Sequence, residues 1–297
     1  MAPNSVAPRD RVEQSPYCRS LGVLVEELTA DAVRLRIPYK DENSNPGRAL
    51  HGGVAASAID IAGAAAAWGS VEDVAGLELG TLDLSVNYLA AAIGEDIVAT
   101  AEVLRRGKEI TYAAVDVRND AGKRIATGLV THRVFDPASE PKAAERRRLE
   151  RSATASPADA PEVSQRARLF VSTPFIARLN LAIAASNDGR AQLEMAFTDD
   201  KTDLDGALHE GAVAAFIDTS GALASWSLVG FDFRNKASTV AIHVNYHAPL
   251  TEDAVAEAST SSRNNEIFLN HVIVRGKRSG TVAATGSVTY RIVESQR

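Results

Sequence analysis

The sequence predicts an α+β protein made of two copies of one domain, each with a long buried helix wrapped by an antiparallel sheet. The first observation is an internal repeat, because Ala-Leu-His51-Gly-Gly53 recurs 158 residues later as Ala-Leu-His209-Glu-Gly211. The second is the Ala-rich, proline-free stretch Gly52–Trp68, which favours a helix that is apolar nearly all round and therefore buried. The third is a series of alternating or β-rich segments after that helix.

The same offset aligns residues far beyond the repeated motif. It pairs Asp60 with Asp218, and Trp68 with Trp226. A period of this length argues against a solenoid, whose units are shorter. The predicted strands of the first copy are 33–37, 81–89, 97–105, 111–118 and 125–135, and those of the second copy include 240–247, 255–261, 267–274 and 281–293.

The chain length and the repeat together predict two domains. We expect the first over residues 1–136, with its core from about residue 17, and the second over 169–297. Residues 137–168 are charged at first and then rich in Pro, Ala and Ser. This composition is typical of a flexible linker.

Composition excludes several functional classes. The 297 residues carry 32 Lys and Arg against 38 Asp and Glu, a net charge of −6, which argues against general nucleic-acid binding. Cys18 is the one cysteine, so an intramolecular disulfide or a multi-thiolate metal site is excluded. We expect no metal and no cofactor, since neither a metal-ligand spacing nor a nucleotide-binding motif is present.

The first twenty residues lack the apolar core of a secretory signal. The longest stretch of small apolar residues, 61–68, is too short to cross a bilayer. A cytoplasmic protein without membrane contact is therefore expected.

Asn45, His51-Gly-Gly53 and Asp60 follow one another at a recognisable spacing. The pattern resembles the phenylacetate-type acyl-CoA thioesterases of the hotdog-fold superfamily, whose signature is an Asn, six residues to a His-Gly-Gly, and nine from that His to an Asp in the central helix. The order of elements resembles the hotdog fold over nearly the whole of both copies. The resemblance implies a tandem, or double, hotdog protein that acts on acyl-CoA.

Helix geometry constrains how such a site is assembled. Nine helical residues at ~1.5 Å each separate His51 from Asp60 by about 13 Å, so one thioester carbonyl cannot touch both. The helix start of one copy must therefore face the mid-helix Asp of the other. Two antiparallel helices related by a pseudo-twofold axis achieve this. We expect an intramolecular pseudo-dimer with two composite sites, as the resemblance also implies.

The first predicted site, called site one below, combines Asn45, His51 and Gly52 with Asp218 and Thr239. The N–H of Gly52 lies at a helix N-terminus, which favours a developing oxyanion. Asp218 acts either as a general base on water or as the nucleophile itself. The resemblance implies that Asn45 orients the nucleophilic side, His51 braces the loop, and Thr239 positions the water.

Site two combines Asp203, His209 and Glu210 with Asp60 and Thr81. It departs from the family pattern twice, since Asp203 replaces Asn and Glu210 replaces the first Gly. The N–H of Glu210 can still donate, but its carboxylate could repel an oxyanion or crowd the thioester. Asp203 near Asp60 would put two carboxylates in one pocket and raise the pKa of at least one of them. We expect site two to be impaired or altered in specificity.

Other interpretations remain open at this point. The helical Asp residues and the two repeated His residues could serve structure alone, and Gly63 and Gly221 could allow close packing either of the two helices or of each helix on its sheet. A hotdog enoyl-CoA hydratase is an alternative, although Asp41-Glu-Asn-Ser-Asn-Pro-Gly47 lacks the His which that family requires. A non-catalytic acyl-CoA-binding protein is another. Tandem chains would still expose sheet edges and faces, so a homo-oligomer is expected.

Overall fold

The computed structural model describes residues 6–136 and 163–294. In each half, two short helices and two strands precede a long helix, and four strands follow it. The helices are α1 (Pro8–Gln14), α2 (Pro16–Leu21), α3 (Gly52–Trp68), α4 (Gln165–Val171), α5 (Pro174–Arg178) and α6 (Glu210–Val229). The strands are β1 (Leu24–Leu28), β2 (Ala32–Ile37), β3 (Glu78–Tyr88), β4 (Ile97–Arg106), β5 (Ile110–Asn119), β6 (Arg124–Phe135), β7 (Leu181–Asn187), β8 (Arg190–Met195), β9 (Lys236–Tyr246), β10 (Ala254–Asn264), β11 (Ile267–Gly276) and β12 (Val282–Val293).

The strands that the structure describes form one antiparallel sheet in the order β1-β2-β4-β5-β6-β3-β9-β12-β11-β10-β8-β7. The two halves join at its centre, where β3 pairs with β9 and Asp83 lies opposite Asn245. The carboxylate of Asp83 accepts hydrogen bonds from His243 and Asn245 across this junction. The α+β pseudo-dimer predicted from the repeat is confirmed.

The long helices α3 and α6 pack directly on each other inside this sheet. They run antiparallel, because Gly53 lies beside Ala215 while Ser57 lies beside Gly211. A Cβ on Gly53 would stand 2.6 Å from the Cβ of Ala215, so glycine permits the close approach. Every residue of α3 from Gly53 onward is buried, which explains why its sequence is apolar on all sides.

Gly63 and Gly221 serve a different contact. A Cβ on Gly63 would stand 2.5 Å from Val130 of β6, and one on Gly221 would stand 2.6 Å from Val288 of β12. Of the two packing roles considered for these glycines, the structure therefore shows contact with the sheet.

The observed bounds of α3 match those predicted from its composition, whereas β1 and the short helices were not predicted. α1 begins at Pro8, ahead of the expected core start, and buries Val12. α4 begins at Gln165, inside the segment assigned to the linker. The remainder of that segment, 137–162, lies outside the described residues.

By length and composition, α6 could cross a membrane. Its residues from Gly211 to Trp226 are buried inside this protein. The core position between α3 and the sheet accounts for its apolar composition.

Candidate active sites

Site one lies where the first turn of α3 meets the middle of α6. A Cβ on Gly52 would stand 3.0 Å from Oδ2 of Asp218. His51 caps α3, because its Nδ1 accepts the N–H of Gly53 at 2.9 Å. The structure thus brings His51 and Gly52 of one half together with Asp218 of the other.

Asp218 is held with one oxygen engaged and one directed at the tip of α3. It is 2% exposed, and the hydroxyl of Thr239 donates to its Oδ1 at 2.6 Å. Burial raises the pKa of Asp218 to about 6, and the hydrogen bond from Thr239 partly opposes this rise. The carboxylate is therefore mostly ionised at neutral pH, and within 6–136 and 163–294 no donor bonds to Oδ2, which lies beside Gly52.

A β-bulge directs Thr239 into the site. Buried Ile242 faces the helix, so strict alternation would place Val240 inside and Thr239 outside. The register between β9 and β12 shifts at this point, and Val240 is 36% exposed instead. The same shift in β3 turns Thr81 inward and leaves Leu82 37% exposed. Both halves therefore use a bulge to aim a hydroxyl at the helical Asp.

The imidazole of His51 is neutral and structural in this arrangement. Burial lowers the pKa of His51 to about 3. Since Nδ1 accepts the Gly53 amide, we assign the ring proton to Nε2. The ring also stacks on Phe175 of α5, with the ring centroids 4.6 Å apart. These contacts fit the expected bracing role.

Asn45 contributes its backbone to the loop before α3. Its N–H donates to the carbonyl of Ala49 at 2.7 Å. No hydrogen bond joins its side chain to Asp218 within 6–136 and 163–294. The orienting role of Asn45 stays a prediction.

Two tyrosines that the sequence analysis did not assign hold the helix tips. The hydroxyl of Tyr88 donates to the carbonyl of Gly52 at 3.2 Å, and that of Tyr246 donates to the carbonyl of Glu210 at 2.9 Å. A ring carbon of Tyr88 lies 3.4 Å from the Cβ position of Gly52, so the ring forms a wall of site one. The signal was present, because Val-Asn-Tyr occurs in both copies at the common offset.

Site two repeats the same framework at the tip of α6. Thr81 donates to Oδ1 of Asp60 at 2.7 Å, and Nδ1 of His209 accepts the N–H of Gly211 at 3.0 Å. Nε2 of His209 lies 3.8 Å from Sγ of Cys18 on α2. Both ring nitrogens are therefore engaged away from proton transfer. Burial lowers the pKa of His209 to about 3, so this ring too is neutral.

The carboxyl of Glu210 distinguishes site two. A carboxylate oxygen of Asp60, a carboxylate oxygen of Glu210 and a ring nitrogen of His209 lie within 4.8 Å of one another. Burial raises the pKa of both carboxyls, and the neighbouring charge of Asp60 raises that of Glu210 further. At neutral pH the pair therefore holds a proton.

Asp203 lines the same pocket as Asp60 and Glu210. Its Oδ1 accepts the N–H groups of Asp205 at 2.8 Å and Ala207 at 3.1 Å, which closes the turn before α6. Burial raises the pKa of Asp203 as well. Three carboxyls thus meet here, but that of Asp203 is directed at its own backbone.

His132 is a further residue of site two that the sequence analysis did not assign. Its Nε2 accepts the indole N–H of Trp68 at 2.9 Å, and its Nδ1 lies 3.3 Å from the hydroxyl of Thr81. Burial lowers the pKa of His132 to about 3, so the neutral ring carries its proton on Nδ1 and donates to Thr81. The chain of hydrogen bonds ends on Asp60.

The cluster of Asp60, His209 and Glu210 has the spacing of a metal site. However, the lone pair of His209 Nδ1 already accepts the Gly211 amide. Binding a cation there would require breaking the cap of α6. The raised pKa values of Asp60 and Glu210 fit a pair that holds a proton, without that cost.

The chain matches the thioesterase superfamily model over residues 47–126 and again over 205–284, more than half of its length. A putative esterase of Halobacterium salinarum is 37% identical over 124 residues, 39% of this chain and 82% of that protein. The medium/long-chain acyl-CoA thioesterase YigI of Escherichia coli strain K12 is 33% identical over 138 residues, 41% of this chain and 88% of that protein.

Solved structures resemble both halves together. The tesB protein of Mycobacterium avium subspecies paratuberculosis is 13% identical with a TM-score of 0.64, covering 93% of this chain and 98% of that one. A hotdog-fold protein of unknown function from Alicyclobacillus acidocaldarius is 16% identical with a TM-score of 0.65, covering 93% of this chain and 97% of that one. These likenesses show the fold, which is two hotdog domains in tandem.

Proposed function

The chain belongs to the thioesterase superfamily, and we propose that it hydrolyses acyl-CoA thioesters to a carboxylic acid and free CoA at site one. One observation carries the assignment of the site. Oδ2 of Asp218, from the second half, faces the amide end of α3 beside Gly52 of the first half. The name of the Escherichia coli relative supports acyl-CoA as the substrate class.

The contacts define a role for each group. Among the described residues no acceptor takes the N–H of Gly52, so it is available to the thioester oxygen, and the helix N-terminus stabilises the negative charge formed there. Asp218 either takes a proton from the water that attacks the carbonyl carbon, or attacks that carbon to give an anhydride which water then opens. In both routes the C–S bond breaks and CoA leaves as a thiol.

We infer that the acyl group is apolar. α4 contacts α6 as α1 contacts α3, and α1 lines the pocket of site two. We therefore infer that α4 lies over site one. The repeat offset places Leu169 and Phe170 where Arg11 and Val12 line the pocket of site two. Leu169 is 56% exposed, so an apolar side chain at this position is open to contact by an acyl group. The medium/long-chain specificity in the Escherichia coli relative's name agrees.

The test is Asp218→Asn, with Asp60→Asn as the matched change in site two, in a thiol-release assay on acyl-CoAs from acetyl to long-chain. Losing a general base typically lowers kcat by about 10²–10⁴-fold, so Asp218→Asn should fall in that range and Asp60→Asn should lose far less. The wild type should prefer the longer chains.

Wild-type turnover in Asp218→Asn, or a larger loss in Asp60→Asn, would contradict the assignment. Loss of enoyl absorbance by the wild type without thiol release would identify a hydratase instead. Tight binding of acyl-CoA with neither reaction would identify a binding protein.

A further inference from the structure

The helical Asp residues of the two sites are held by nearly identical hydrogen bonds. The hydroxyl of Thr81 meets Asp60 at 2.7 Å, and that of Thr239 meets Asp218 at 2.6 Å. Each hydroxyl is turned inward by a bulge in its strand. Asp60 is therefore held as a thioesterase carboxylate would be, on the face of α3 that the tip of α6 approaches.

The helix tip of site two is also intact. His209 accepts the amide of Gly211 at 3.0 Å, where the matching bond of site one is 2.9 Å. Tyr246 holds the first carbonyl of α6 at 2.9 Å, where the matching bond is 3.2 Å. Since every non-proline residue carries an N–H, Glu210 retains the backbone donor, although its own carboxyl accepts from that N–H and from the N–H of Thr81.

The side chain at the first helical position differs. A Cβ at Gly52 would point between Oδ2 of Asp218, at 3.0 Å, and the ring of Tyr88, at 3.4 Å. The function proposed for site one places the thioester in this space. Glu210 carries its side chain from the same position, and its carboxyl oxygen lies within 4.8 Å of that of Asp60. A carboxyl there has the planar, two-oxygen shape of the hydrolysis product.

We propose that site two is a complete second thioesterase site, kept closed by the side chain of Glu210, whose carboxyl lies where the thioester of a substrate would lie. This inference rests on the function proposed for site one and takes the same class of substrate. It assigns the loss of activity in site two to one side chain, while the rest of the site stays assembled.

The surrounding charges are compatible with this closed state. Burial raises the pKa of both Glu210 and Asp60, so a proton on one of them lets the two carboxyls occupy the same pocket without facing each other as two charges. The positive end of α6 also favours a carboxyl at its first turn. The other departure from the family pattern, Asp203, does not close the site, because its Oδ1 is engaged by the amides of its own turn.

The test opens site two in a chain whose site one is disabled. Glu210→Gly, which copies the glycine of site one, is combined with Asp218→Asn in the full chain, and thiol release is measured on the acyl-CoA that the wild type turns over best. We expect kcat at least about tenfold above that of Asp218→Asn alone, a part of the about 10²–10⁴-fold that a general base supplies. Adding Asp60→Asn should remove the gain.

Glu210→Gln in the same background is the matched control, because it keeps the shape and removes the charge, and it should give no gain. Glu210→Ala provides a second opened variant should the glycine weaken the first turn of α6. Failure of both opened variants to gain activity, with wild-type circular dichroism, overturns the proposal, as does a Gln variant that gains as much as the Gly variant. Failure of the function proposed for site one would show separately, as full turnover in Asp218→Asn alone.

Discussion

Site one and site two are built from the same elements at a constant offset, and they differ in the side chains that face the reacting space. Each pairs a capped helix tip with a helical Asp and a bulge-directed Thr from the opposite half. The substitutions within the predicted sites and their immediate partners include Gly52 to Glu210, Asn45 to Asp203, Tyr290 to His132, Phe175 to Tyr17 and Ile176 to Cys18. The comparison shows that the scaffold of the composite site persists in both halves while the residue at the helix tip differs, and we infer that this residue changes what the site accepts.

The short helices α1 and α4 also carry different side chains at matching positions. Arg11 of α1 forms an ion pair with Asp205 and lies over the ring of Trp68, 5.4 Å from its centroid. The matching position in the other half is Leu169, half exposed on α4. The helix tip of site one carries a glycine and that of site two a glutamate, and the matching positions on the short helices carry Leu169 and Arg11.

The largest effect is expected from placing a glutamate at the helix tip of site one, as Glu210 stands at that of site two. Gly52→Glu would place a carboxyl against Asp218, as Glu210 lies against Asp60, and should lower kcat by about 10²-fold or more because the thioester loses its place. Steady-state thiol release on a variant with wild-type thermal unfolding measures this. Gly52→Gln should lose as much, and a Gln variant with normal turnover would show that charge, not occupancy, separates the two sites.

A smaller effect is expected in the pH dependence. Because burial raises the pKa of Asp218 to about 6 and the carboxylate is the active form, kcat/KM should fall as the pH drops through about 6. Thr239→Val removes a hydrogen bond that lowers the pKa of Asp218. The acidic limb of its pH profile, where kcat/KM falls, should therefore move to higher pH.

Thr81→Val is the matched change for site two and should move the limb far less, since Thr81 supports Asp60. A limb near the ordinary carboxyl pKa of about 4 in the wild type would contradict the burial of the acting group. An equal shift in both variants would contradict the assignment of turnover to site one.

The features that depend on the spacing of residues along the chain could be predicted from the sequence. The nine residues between His51 and Asp60, with the rise of a helix, predicted that the two halves exchange residues, and the structure places Asp218 beside Gly52 as that argument requires. The bounds of α3 followed from composition alone, because a helix buried on all sides is apolar on all sides.

The features that depend on register or on tertiary contact were not predicted. One extra residue in β3 turns Thr81 inward, but alternation cannot reveal a bulge before the partner strand is known. His132 occurs in one half only, so the repeat gave no reason to select it until β6 placed it opposite Thr81. The orienting role assigned to Asn45 still rests on resemblance.

A crystal structure of the Asp218→Asn variant with an acyl-CoA bound tests most directly whether the two halves form one working site. We predict the thioester oxygen within hydrogen-bond distance of the Gly52 amide, its carbon beside residue 218, and the acyl chain against Leu169, with no thioester at Glu210. A thioester bound beside Glu210 and Asp60, or remote from Gly52, would contradict the account.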